Sequence, residues 1–291
     1  MNSLKRKIKT KNLDIMKEKV ITAITLIILV PGLLTACQSK VDVIEEPDES
    51  QKGGWQLLWQ DEFNGSGHPN ESIWDYEEGY IRNNEKQYYA KKRLENARVE
   101  DGHLVIEARR DNYEGHEITS ASLHTYGKKS IIYGRVEVRA KLPTGKGTWP
   151  AIWMLGNNIR TGGKWPDCGE IDIMENVGYD PDAIHANIHT KAYNHVLGTG
   201  KGRKITVEKP YENFHVYAVE WFKDRLDFYI DERLYFTYKN ENTGNDTWPF
   251  NQPHYLIINL AIGGSWGGQQ GIDNSIFPQK YLIDYVRVYS K

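Results

Sequence analysis

Residues 134–142 read GRVEVRAKL, and in this run Val136, Val138, Ala140 and Leu142 alternate with Arg135, Glu137, Arg139 and Lys141. Successive side chains of an extended chain point to opposite faces, so a period of two separates apolar from charged groups and predicts a half-buried β-strand. The same alternation runs through HLVIEAR (103–109) and YLIDYVRVY (281–289), and RLDFYIDERLYFTYK (225–239) reads as two strands about a turn near Asp231 and Glu232. After residue 55 no stretch keeps a helical period over three turns. Many short strands divided by Gly, Pro, Asn and Asp, across about 235 residues without repeats, predict one antiparallel β-sandwich and no second domain.

Ahead of that region lies a different kind of sequence. Seven basic residues in the first 19 precede an apolar run from Val20 to Leu34, too short for a comfortable transmembrane helix, and Leu34-Thr35-Ala36-Cys37 follows. This segment resembles a bacterial lipoprotein signal, which implies cleavage before Cys37, lipid on Cys37 and an exported, membrane-anchored protein of the cell envelope. Met16 offers a second start of more typical signal length, and a plain secretory signal or an uncleaved anchor is the alternative. Residues 38–54 are polar, acidic and Gly-ended, as expected of a solvated tether, so the folded domain is expected to begin near Trp55.

Charge narrows the partner. Residues 1–36 carry +5 and residues 37–54 carry −3, which leaves −4 on the remainder, with 28 basic and 32 acidic residues. Nucleic acid and sulfated polyanions need a basic surface, so a neutral substrate is expected, bound by a monomer. Nine Trp and 18 Tyr exceed what packing asks for, and flat amphipathic rings suit cores, interfaces and sugar-stacking clefts. Besides Cys37 only Cys168 is present, so the domain forms no internal disulfide, and Cys168 is expected to pack as a small apolar group rather than act as a nucleophile. The Gly-rich runs PTGKGT (143–148) and GTGKGR (198–203) read as loops, because no strand-to-helix unit follows to make a phosphate site.

The stretch GEIDIMENVG (169–178) holds Glu170, Asp172 and Glu175 within six residues. With 39 acidic residues in 291, such spacing is expected about once by chance, so context must give it meaning. Ile171 and Ile173 alternate with Glu170 and Asp172, which again predicts a strand, with its carboxylates facing a groove. Glu175 breaks the parity: five residues after Glu170 it should point into the core. An unpaired buried carboxylate is so costly that an extra residue at Ile173-Met174, a β-bulge returning Glu175 to the acidic face, is the better expectation. Crowded carboxylates push one another's pKa values apart, which suits glycoside hydrolysis, where one acid attacks and another donates a proton.

Together with TWPAIWMLG (148–156), KWPDCGEIDIME (164–175), HANIHT (185–190) and NLAIGGSWGG (259–268), the stretch resembles glycoside hydrolase family 16, in particular its laminarinase-like β-glucanases. The likeness runs from WQDEFNG (59–65) to DYVRVY (284–289). It implies a concanavalin-like β-jelly roll with a sugar cleft on its concave sheet, and retaining endo-hydrolysis of β-1,3-glucan or mixed-linkage β-1,3-1,4-glucan. By position in the motif, Glu170 is the expected nucleophile, Asp172 its orienting partner and Glu175 the general acid/base, with no cofactor in catalysis. The resemblance also places His189 at the cleft near Asp172 or the leaving group, and RNNEKQYY (82–89) places Asn84 beside the cut bond. His185 and His189 would stand roughly 13 Å apart on a strand, too far to share one ion.

Trp149, Trp153, Trp165 and Trp266 are the sugar-stacking candidates, while Trp59, Trp74, Trp221 and Trp248 are assigned to the core. Family members often carry one structural calcium on the convex face, and the matching ligands are Glu62, the Gly102 backbone and Asp284. Other readings are a non-catalytic glycan-binding protein on the same sandwich, or hydrolysis of another β-glycan.

Overall fold

The computed structural model describes residues 51–291; the signal-like segment, Cys37 and most of the acidic tether lie outside them. Two antiparallel sheets face each other. In one, Trp55–Asp61, Gln279–Ser290, Gly134–Lys141, His215–Trp221, Arg225–Ile230 and Arg233–Lys239 lie side by side, with His103–Ala108 and Ala97–Glu100 extending from the first half of Gln279–Ser290. In the other the spatial order is Lys201–Thr206, Ala183–His189, Glu170–Glu175, Thr148–Gly156, His254–Ile262, Ser122–His124 and Asp75–Tyr76. Among the described residues the strands pair antiparallel, except the two-residue pair Tyr88–Tyr89 with Thr119–Ser120. This is the antiparallel sandwich that the period of two predicts.

Val136, Val138, Ala140 and Leu142 all enter the main core between the sheets, opposite Ile152, Met154, Ile171 and Leu256. Each such side chain contributes about 1.5–3 kcal/mol on leaving water, which fixes the register, since a slip of one residue would turn the whole apolar set outward. The charged face of Gly134–Lys141 is less open than a half-buried strand implies, because Arg135 and Glu137 are 2% and 0% exposed. Arg135 donates to Glu137 at 2.5 Å, to Glu220 at 2.9 Å and to Glu232 at 2.7 Å. A guanidinium leaves water without prohibitive cost only when several partners replace its hydration.

The turn expected at Asp231 and Glu232 is present, with φ of 48° and 64°; left-handed conformations at both central residues match the twist of the strands they join. Trp74, Trp221 and Trp248 are buried in the core and Trp59 packs partly buried against it. PTGKGT is a loop up to Thr148, where a strand starts, whereas GTGKGR does not remain one: its last three residues enter Lys201–Thr206. The reason is the unpaired edge of Ala183–His189, whose backbone groups recruit them.

Candidate active site

Two central strands of the second sheet are apolar on both faces. From Thr148–Gly156, Ile152 and Met154 go to the main core, while Ala151, Trp153 and Leu155 join Tyr255, Ile257 and Cys168 in a smaller cluster on the opposite face. That face forms the floor of a cleft of about 900 Å³. Cys168 is fully buried there, and burial pushes its thiol up to about 12, so it packs as expected and is not a thiolate at neutral pH.

The expected bulge is visible in the register. Against Thr148–Gly156, Glu175 pairs with Ala151 and Met174 with Ile152, yet Asp172 pairs with Trp153, so Ile173 is left over. Against Ala183–His189, Asp172 faces Asn187 and Glu175 faces His185, three steps against two. Ile173 and Met174 both enter the core as a result, and Glu170, Asp172 and Glu175 all line the cleft.

Each acid has its own neighbours. Trp165 Nε1 donates to Glu170 Oε2 at 3.1 Å. His189 Nε2 lies 3.3 Å from Asp172 and 3.6 Å from the other oxygen of Glu170. Glu175 accepts from Trp149 Nε1 at 3.1 Å and from Asn187 Nδ2 at 2.9 Å. Asn187 can lie there only because residue 202 is glycine: a Cβ at Gly202 would come within 2.0 Å of Asn187 Oδ1.

Burial pushes all three carboxyls up to about 8, and the charge of Asp172 adds to the rise at Glu170 and Glu175. Three such groups cannot all ionise at neutral pH, so the cluster holds protons there. The donors Trp165, Trp149 and Asn187 oppose the rise by favouring the charged forms, two of them at Glu175 and one at Glu170, so hydrogen-bond number alone does not rank the two glutamates.

Trp149, Trp153, Trp165 and Trp266 line the cleft with these acids and His189, as the sequence suggests. Trp266 meets Trp149 edge-on at 5.5 Å and His185 edge-on at 4.9 Å. His185 is therefore engaged away from His189, and the donor atoms that do lie within 4.8 Å of one another belong to Glu170, Asp172 and His189. Asn84 does not line the cleft; it faces a separate depression with Tyr80, Lys86 and Glu117. Asn83 lines the cleft instead. The likeness of RNNEKQYY to the family segment points to Asn84; both residues are left-handed, with φ of 56° and 55°, and it is Asn83 that the turn directs into the cleft.

Several lining residues carry no signal in the motif. Arg82 pairs with Glu77 and lies 5.0 Å over the Trp153 ring, Arg160 reaches Glu77 at 3.6 Å, and His195 tilts 5.2 Å from Trp165. They come from connections that only the folded chain brings together. Asn187 could have been found, since His185, Asn187 and His189 share a face by the period of two.

The expected calcium ligands lie on the other sheet. Asp284 is the extra residue of a bulge against Gly134–Lys141 and stands 3.8 Å from His103, next to Gly102, while Glu62 extends the strand that pairs beside it. Two carboxylates and a carbonyl suit a hard cation, so the donor set fits, although Arg287 forks onto Glu62 and Arg139 pairs with Asp284.

The model of glycosyl hydrolases family 16 matches residues 84–287. This chain belongs to that family. It is 52% identical over 251 residues to a β-glucanase of Rhodothermus marinus, covering 83% of this chain and 88% of that protein. The crystal structure of the laminarinase from Rhodothermus marinus superposes with a TM-score of 0.79 at 52% identity, over 81% of this chain and 97% of that one. A non-specific endo-β-1,3(4)-glucanase of family 16 gives a TM-score of 0.79 at 49% identity, over 83% and 93%. The family 16 match spans the bulged strand, most of the cleft lining and most strands of both sheets.

Proposed function

We propose that this family 16 chain is a retaining endo-β-glucanase that cuts β-1,3-glucan of the laminarin type, mixed-linkage β-1,3-1,4-glucan, or both. The observation that carries the reading is the bulged strand, which presents the buried Asp172 and the half-buried Glu170 and Glu175 to an aromatic cleft. Its relatives at 49–52% identity are named for these activities.

Roles follow from order in the motif. Glu170 attacks the anomeric carbon as the glycosidic C–O bond breaks, and Glu175 gives its proton to the departing oxygen. A carboxyl raised well above its ordinary range is protonated at neutral pH, the state that this step needs. Esterification removes the charge of Glu170. Its repulsion on Glu175 goes with it, so Glu175 yields its proton more readily and can then serve as base. Water next attacks the anomeric carbon, Glu175 takes the water's proton, and the Glu170 ester bond breaks; two inversions give retention. Asp172, 3.3 Å from His189 Nε2, raises the carboxyls of Glu170 and Glu175 whenever it is charged and so holds the proton inventory of the site high. The four tryptophans offer rings to the apolar faces of successive sugars.

Product chromatography after incubation with laminarin and, separately, barley mixed-linkage glucan tests the activity. Short oligosaccharides from either support it; intact polymer that nonetheless binds points to a lectin-like protein. Glu170→Gln is expected to keep sugar binding and lower kcat by at least about 10³-fold, as loss of a central group does; substantial remaining turnover would sink the nucleophile assignment. The reading extends to a lipid anchor on Cys37 that holds a monomeric enzyme at the cell envelope. Labelled fatty acid that enters the wild type and the Cys37→Ala variant equally would exclude the anchor, and light scattering reads the mass. A calcium held by Glu62, Asp284 and the Gly102 carbonyl would be structural, so chelation should lower Tm and leave the cleft chemistry unchanged.

A further inference from the structure

Glu85 lies off the three-acid strand, 7% exposed, at the edge of the cleft. Its Oε2 accepts from Gln87 Nε2 at 2.7 Å and from the Tyr89 hydroxyl at 3.2 Å, and its Oε1 accepts from Asn83 Nδ2 at 3.2 Å. Gln87 is pinned in that sense, because its own oxygen accepts the Ile262 backbone N–H at 2.7 Å. Tyr89, fully buried, gives its proton to Glu85, and its oxygen accepts from Asn259 Nδ2 at 3.0 Å. Asn259 Oδ1 in turn accepts from Trp153 Nε1, on the cleft floor, at 2.8 Å.

Every proton in this chain points toward Glu85. A carboxylate only accepts and an indole only donates, so with these two ends fixed neither Asn259 nor Tyr89 can reverse. On the second branch the carboxylate draws the Asn83 amino group to itself and leaves the Asn83 carbonyl oxygen on the side away from it. Asn83 and Trp153 both line the cleft.

We propose that Glu85 is a positioning residue for the glycan: it holds Asn83 with its amide oxygen presented to the cleft as an acceptor for a sugar hydroxyl, and it locks the Trp153 indole in one orientation. Burial pushes the Glu85 carboxyl above its ordinary range, while Arg82, over the Trp153 ring, and the donors Gln87, Asn83 and Tyr89 act in the opposite direction and favour its charged, accepting form. The inference deepens the β-glucan hydrolase reading and rests on it. Neither Glu85 nor Tyr89 touches the three acids, so the effect belongs to binding rather than to bond cleavage.

Glu85→Gln tests the proposal, because it keeps shape but brings an amino group of its own. Two amino groups cannot face each other, so Asn83 must turn and present a donor to the cleft. We expect KM for laminarin oligosaccharides to rise about tenfold with kcat within about twofold, the scale of one mispaired hydrogen bond. Asn83→Ala should give a similar rise, and Glu85→Gln added to it should add little. The indole N–H resonance of Trp153, assigned with Trp153→Phe, should move in Glu85→Gln without any substrate. A folded Glu85→Gln with wild-type KM and an unmoved Trp153 resonance overturns the proposal. Where Glu85→Gln does not fold, Tyr89→Phe cuts the Trp153 branch midway and carries the resonance readout, while Asn83→Ala carries the KM readout. A wild-type protein that turns over no β-glucan sinks the activity reading alone, and the resonance still decides Glu85.

Discussion

Glu170, Asp172 and Glu175 carry a cost as well as a chemistry. Burial raises their pKa values from the ordinary range near 4 to about 8, so between those limits the folded protein binds more protons than the unfolded chain. Stability therefore falls as pH rises through that window: the penalty is absent below about 4 and complete above about 8. Glu170→Gln removes one member of the set. A shift of one unit is worth about 1.4 kcal/mol, and the side of Glu170 that opens to the cleft is still screened, so a gain of about 1–2 kcal/mol is the reasonable scale. For a domain of this size that raises Tm by about 3–6 °C at pH 8, with the gap closing toward pH 5. Thermal unfolding of wild type and variant at both pH values decides it. A variant no more stable than wild type at pH 8 would mean that the acids are not held against their preference. A site kept at the expense of stability is what a working cluster, rather than a decorative one, predicts.

At the scale of the element, the bulge is the device that makes one strand serve two faces. Without Ile173 the parity of GEIDIME becomes regular, Met174 keeps its place in the core, and Glu175 no longer needs the bulge to reach the cleft; what is lost is the offset between the Glu175 end and the Glu170 end. Every pairing on one side of the deletion must slip by one residue relative to Thr148–Gly156 and Ala183–His189. Deleting Ile173 is thus expected to lower Tm by more than about 10 °C, through the lost core side chain and broken ladder, and to reduce turnover to background. A deletion variant with near wild-type Tm and activity would show that the bulge has no such role. This feature was legible in the sequence because two physical rules collided: strand parity sent Glu175 inward, and the cost of a buried carboxylate sent it back. The alternation of Val136, Val138 and Ala140 was legible for the same reason, since each position answers to one local rule. Asn83 was not, because the family segment pointed to Asn84 and two consecutive left-handed residues leave no strand parity by which to choose between the two. Arg82, Glu77, Arg160 and His195 were not either, since they reach the cleft from separate connections and no local period records their meeting. The buried charge of Arg135 and Glu137 escaped the same way: its partners Glu220 and Glu232 come from another strand and from a turn.

For the whole molecule, the sandwich divides labour between its sheets, one carrying the ion pairs of Arg135, Arg139 and Arg287, the other the cleft. The domain from Trp55 onward carries −4, with 28 basic and 32 acidic residues, and this sign bears on the substrate. Arg82 and Arg160 are the Arg or Lys residues among those lining the cleft, and both lean on Glu77, which accepts also from Ser122 at 2.7 Å. Their charge is partly answered inside the protein. A sulfated chain would therefore meet three acids at the centre of the cleft and, at one side, two guanidiniums that share Glu77. A neutral glucan needs only rings and hydrogen bonds, neither of which salt screens. Raising NaCl from about 0.05 M to about 0.5 M shortens the screening length from roughly 14 Å to roughly 4 Å, enough to abolish long-range attraction of a polyanion. KM for laminarin is expected to change by less than about twofold across that range, and a sulfated galactan should be neither cut nor competitive. A KM that climbs steeply with salt, or cleavage of the sulfated polymer, would mean that the cleft reads charge after all and that the arginines are substrate contacts rather than partners of Glu77.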